Sequence, residues 1–82
     1  MLHVSVISPE ATLYEGDALS LVAPAYDGEV GILTGHAPMV VVLGKGTLRV
    51  GDGSRFTVDG GFLQVVDNQV RVVTEKAARV QS

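Results

Sequence analysis

Phe62-Leu63-Gln64-Val65-Val66-Asp67-Asn68-Gln69-Val70-Arg71-Val72-Val73-Thr74 decides the fold class. Two short runs rich in β-branched residues flank Asp67-Asn68, a pair that tolerates the left-handed backbone of a tight two-residue turn. Apolar and polar residues alternate through both runs, so Val65, Val70 and Val72 fall on one face of a hairpin.

The same grammar extends in both directions. Leu2 to Ile7 is β-branched and stops at Ser8-Pro9. Thr12 to Glu15 precedes Gly16-Asp17. Ala18 to Ala23 alternates and halts at Pro24, and Val30 to Leu33 sits between Gly28 and Gly35. Met39 to Leu43 follows Pro38 and stops at Gly44. Thr47 to Val50 and Arg55 to Val58 surround Gly51-Asp52-Gly53-Ser54, and Asp59-Gly60-Gly61 leads back to the opening hairpin. About nine strands at a spacing near eight residues point to a sandwich or barrel. Gly44-Lys45-Gly46 and Gly51-Asp52-Gly53 read as hairpin turns. The alternating residues Val4, Val6, Leu19, Leu21, Val65, Val70 and Val72 are the expected core. Thr74 to Arg79 is the one stretch that fits the start of a helix, or a fraying end.

The chain has 82 residues, and residues 1–82 read as a single domain with a short tail over 75–82. Six basic and nine acidic residues give a net charge of −3, and neither sign forms a run. That disfavours nucleic acid as a partner. Cysteine is absent, which removes disulfides, thiolate metal sites and thiol nucleophiles and favours an intracellular setting. The start carries no basic region followed by a long apolar run, so no signal peptide is expected. Ala37 to Leu43 is far shorter than the roughly 20 residues of a membrane-spanning helix.

Catalytic patterns are missing. His3 and His36 are not spaced as metal ligands, and no metal site is expected. Ser8, Ser20, Ser54 and Ser82 lie in no nucleophile elbow. The glycine-rich pieces match no phosphate loop, so no cofactor is expected. The chain reads as a non-enzyme that holds other proteins. The alternative is a small-ligand or carbohydrate-binding β-domain, which needs aromatics gathered on one face; Tyr14, Tyr26, Phe56 and Phe62 are scattered.

Asp27-Gly28-Glu29-Val30-Gly31-Ile32-Leu33-Thr34-Gly35-His36-Ala37-Pro38 stands apart. Glycines, acids, a histidine and a proline suit a shaped polar projection rather than a core. Taken alone, Glu29 reads as a solvated acid and His36 as a loop residue bonded to a nearby carbonyl.

From Glu29 onward the segment resembles the Glu-x-Gly-x-x-x-Gly-His-Ala-Pro signature of the epsilon subunit of bacterial and chloroplast F-type ATP synthases. Val4-Ser5-Val6-Ile7-Ser8-Pro9-Glu10, Leu13-Tyr14-Glu15-Gly16, Gly46-Thr47-Leu48-Arg49-Val50 and Gly60-Gly61-Phe62-Leu63-Gln64-Val65 resemble that family's strands in register. The resemblance implies an all-β flattened sandwich of two antiparallel sheets with nine to ten short strands. It implies a subunit of the rotating central stalk that docks on the gamma subunit and contacts the c-ring, coupling proton transport to ATP synthesis. Glu29, Gly31 and His36 match the family's c-ring contact. The implied location is the cytoplasmic face of a bacterial plasma membrane, peripheral and held through the complex.

Met39 to Leu43 has no polar alternation, so both of its faces are expected to be covered. Its outward face, with Ser8 near it in the family's arrangement, is the candidate gamma contact, represented by Val41. The family continues into a C-terminal helical hairpin that inhibits hydrolysis. The sequence ends at Ala77 to Ser82, about where that hairpin starts, so the expectation is coupling without inhibition and without ATP binding.

Overall fold

The computed structural model describes residues 1–80. Ten strands follow one another: β1 (Leu2–Ile7), β2 (Thr12–Ala18), β3 (Ser20–Ala25), β4 (Gly28–Leu33), β5 (Met39–Val42), β6 (Lys45–Val50), β7 (Arg55–Asp59), β8 (Phe62–Val66), β9 (Gln69–Val73) and β10 (Ala77–Arg79). They form two five-stranded sheets, one in the order β2-β1-β9-β8-β5 and the other β10-β7-β6-β3-β4.

The β8–β9 hairpin closes as its turn residues dictate. Asp67 and Asn68 both take positive φ, 48° and 63°, the backbone of a two-residue turn whose twist matches the strands. Val65 then faces Val70, and Leu63 faces Val72. These side chains, with Leu2, Val4 and Val6 from β1, form the inner face of the first sheet. Leu21, Ala23, Ile32, Leu48, Val50, Phe56 and Val58 come from the second. Phe56 is the largest fully buried side chain, and Tyr14 meets its ring edge-on at 5.7 Å. Burying one such aromatic contributes about 2–3 kcal/mol.

Six of the seven expected core residues are buried; Leu19 is 66% exposed. Its alternation with Leu21 assumed one strand from Ala18 to Ala23. The chain instead bends at Leu19 as it passes from β2 in the first sheet to β3 in the second, and the bend resets which face points inward. The first sheet also departs from pure antiparallel pairing. β1 lies between its hairpin partner β2 and the distant β9, to which it is parallel. No short turn joins β1 and β9, so nothing forces them to run in opposite directions.

Three further local readings change. β3 continues through Pro24, beyond the stretch where β6 pairs with it at Leu21 and Val22, so the missing N–H interrupts no ladder there. Lys45 and Gly46 open strand β6 rather than forming a turn. Gly46 has to be small, because a Cβ there would sit 2.8 Å from the Pro24 side chain. The tail forms strand β10 against β7, not a helix. Buried Thr74 sets its course by donating its hydroxyl toward the Gly60 and Lys76 carbonyls, 2.9 and 3.0 Å away. The last residues of the expected tail, Gln81 and Ser82, lie outside the described residues.

Candidate functional site

Glu29 and Gly31 lie on the outer face of edge strand β4, while Ile32 between that face and the turn is fully buried. Half of the signature is thus a regular strand with one foot in the core, and only its second half projects. Glu29 is opposite Pro24 and Gly31 opposite Val22. Arg49 on β6 reaches across β3 to Glu29, with Nη2 at 3.2 and 3.4 Å from the two carboxylate oxygens. Both side chains stay half exposed. A Cβ built on Gly31 would meet nothing within 4 Å, and its φ is not positive.

His36 is at the other end of β4, past Leu33. Its N–H donates to the Leu33 carbonyl, and ring Nδ1 lies 2.7 Å from the Ala37 carbonyl. A carbonyl only accepts, so Nδ1 carries the proton. Gly35, at φ 86°, turns the chain and donates its N–H to Asn68 Oδ1 at 2.7 Å, fixing this loop to the β8–β9 turn. Glu29 and Gly31 are therefore brought together, and His36 is held apart from them. Its ring makes the carbonyl bond that a plain loop histidine would make.

β5 is an edge strand, and its outer face is open rather than covered: Val40 and Val42 are 67% and 60% exposed. Val41 turns the other way and packs, partly buried, against the core. A row of apolar side chains crosses the outer face of the first sheet from Val42 to Phe62 and Val73, and on to Ile7. Beyond Ile7 comes Ser8, which shares with Phe62 and Val73 a hollow of about 310 Å³. The Ser8 hydroxyl donates to the Ala11 carbonyl at 3.2 Å, within the β1–β2 turn. Ser8 thus borders this face, and Val42 rather than Val41 belongs to it. Of the aromatics, Phe56 is buried and Tyr14 partly so, while Tyr26 and Phe62 are exposed.

Two polar clusters escaped sequence reading because each needs the register. Tyr14 on β2 donates its hydroxyl to Asp52 at 2.6 Å, tying the first sheet to the β6–β7 turn. Burial, then this bond, pushes the tyrosine pKa up to about 12, and the same hydroxyl holds the Asp52 carboxyl below its usual range. On the opposite face of β1, His3 points both ring nitrogens at carboxylates, Asp17 at 2.9 Å and Glu15 at 3.0 Å. These bonds, Asp17 first, raise its pKa above the ordinary 6.5. A raised folded-state pKa means that the stabilisation is complete below about pH 6.5 and is lost as pH rises through the folded value. His3→Gln is expected to lower the melting temperature at pH 5.5 and to leave it unchanged at pH 9, as followed by circular dichroism. An equal loss at both pH values would assign His3 a packing role instead.

Two packed sheets with polar side chains confined to outer faces and turns define a small β-sandwich domain. Residues 1–80 match the family model of the ATP synthase Delta/Epsilon chain β-sandwich domain, and the chain belongs to that family. It is 48% identical over 80 residues to the ATP synthase epsilon chain of Leptospira borgpetersenii serovar Hardjo-bovis, covering 94% of this chain and 63% of that relative. It is 41% identical over 81 residues to the epsilon chain of a Synechococcus species, covering 95% and 59%. The chain thus spans somewhat under two thirds of the length of these curated relatives. Among solved structures, a chain of the Euglena gracilis mitochondrial ATP synthase superposes with a TM-score of 0.86 at 24% identity, covering 95% of this chain and 52% of that one. At that identity the likeness supports the fold. Among the described residues no helix is long and apolar enough to cross a membrane.

Proposed function

We propose that this chain is the central-stalk epsilon β-sandwich of an F-type ATP synthase, a non-catalytic subunit that carries rotation between the c-ring and gamma. Gly31 is the observation that supports the reading best. Neither its backbone angle nor its surroundings require glycine, so its bare surface suits a partner that comes close to the β4 backbone. Glu29 and Gly31 then meet the ring, with His36 at the far end of the same strand. The row Val42, Phe62, Val73 and Ile7, bordered by Ser8, meets gamma on the opposite sheet. A sandwich with a packed core between the two contacts passes torque with little loss. The complex places the chain peripherally on the cytoplasmic face of a bacterial plasma membrane.

Co-purification tests this reading. Tagged chain expressed with its own ATP synthase is expected to retain gamma and the ring. Val42→Asp is expected to weaken gamma retention about tenfold with an unchanged urea midpoint, since the outer valine makes no core contact. Val41→Asp is expected to lower the midpoint itself by burying a carboxylate. Retention of gamma by Val42→Asp at the wild-type level would remove this face from the contact.

A further inference from the structure

Glu29, Gly31 and Leu33 follow one another along the outer face of β4 at intervals of about 7 Å. Arg49 belongs to the same surface: its Cα partner Val22 pairs in turn with Gly31. The guanidinium engages Glu29 through one nitrogen, and neither side chain bonds to any other described residue. Arginine carries five N–H donors, and a carboxylate has about four acceptor positions. Most of both sets remains available to a partner.

The pair has no net charge. A lone lysine or arginine arriving from a partner would be attracted by Glu29 and repelled by Arg49 at nearly the same distance. A peptide group fits better, because it offers an acceptor and a donor side by side. Beside the pair is the open floor of Gly31, where backbone can come close without meeting a side chain.

We infer that Glu29, Gly31 and Arg49 form a receptor for the main chain of an exposed turn on the partner protein. One peptide carbonyl of that turn accepts from Arg49, one N–H donates to Glu29, and its backbone lies over Gly31. Leu33, 65% exposed, supplies an apolar contact at the far end. This rests on the reading of this face as the ring contact, and it names what the ring offers there: backbone rather than charge. Arg49 acts in it as a donor to the partner and as the group that positions Glu29.

The test measures affinity for the gamma–ring subcomplex of the same synthase in detergent, by fluorescence titration. Glu29→Gln keeps the acceptor and is expected to bind within about twofold of wild type, whereas Arg49→Met is expected to bind about tenfold more weakly. Raising salt from about 50 to about 300 mM is expected to change affinity less than about threefold. Urea midpoints are expected to stay put, because an exposed ion pair adds little to stability. Binding lost equally in Glu29→Gln and Glu29→Lys, with steep salt dependence, would overturn main-chain recognition in favour of charge pairing. Wild-type affinity in Arg49→Met would overturn it too, and so would a dimer of the isolated chain abolished by Gly31→Trp. If Gly31→Trp and Glu29→Lys both bind like wild type, the ring contact itself falls.

Discussion

Gly61→Ala is expected to cost about 4 kcal/mol or more, most of what a domain of this size has. Gly61 sits at φ 108°, where an L side chain is strained. Its Cβ would also come within van der Waals overlap of main chain, 2.1 Å from the Val73 carbonyl oxygen and 2.7 Å from the Thr74 Cα. Backbone cannot swing aside as a side-chain tip can. The Phe62–Val73 pairing and the Leu43 bond to the Gly61 carbonyl would have to shift together. Gly53→Ala is the comparison: φ is 98°, but nothing lies within 4 Å, so strain alone of about 1–2 kcal/mol is expected. Urea denaturation separates the two, and equal midpoints would mean that the crowding at Gly61 relaxes cheaply.

Gly31→Trp is expected to do the reverse, leaving the domain stable and the machine uncoupled. The indole would enter empty space above β4, so the urea midpoint should stay within about 1 kcal/mol of wild type. In membrane vesicles reconstituted with the variant, ATP-driven proton pumping is expected to fall about tenfold or more, the consequence of losing close backbone approach at a contact centre. Glu29→Lys should do comparable damage, placing two cations side by side with Arg49. Normal pumping by Gly31→Trp would exclude that face from the ring contact. A collapsed midpoint would make the glycine a structural requirement.

Much of the fold was legible because short β-branched runs and glycine-rich turns leave few alternatives. The hairpin at Asp67-Asn68 is read from two residues and forms as read. What failed depends on geometry between segments. Leu19 looked like core because alternation counts residues and takes no account of a chain changing sheets. β1 was expected in antiparallel company because sequence gives no sign of which remote strand will sit beside it. At the site, Glu29 and Gly31 come together since they are two apart on one strand, whereas His36 lies beyond Leu33 in the turn that follows the strand. Val41 exchanged roles with Val40 and Val42 for a simpler reason. An unbroken apolar run does not say which residues face out, and only the pairing of Met39 to Val65 fixes that. Arg49 gave no local signal, since its link to Glu29 spans three strands.

The parallel join of β1 to β9 also governs how the chain can be made. Synthesis delivers β1 ahead of β9, and seven other strands are made between them. Until β9 arrives, β1 has only β2 beside it in the sheet, and Val4 and Val6 lack their partners Val70 and Val72. Pairing between such distant segments closes late, because a long loop must be ordered first. The first sheet is therefore completed only after β9 has emerged, and it cannot be built strand by strand in the order of synthesis. A chain cut before Gln69 would leave that edge of β1 unpaired, a template for pairing with other chains and a substrate for chaperones and proteases.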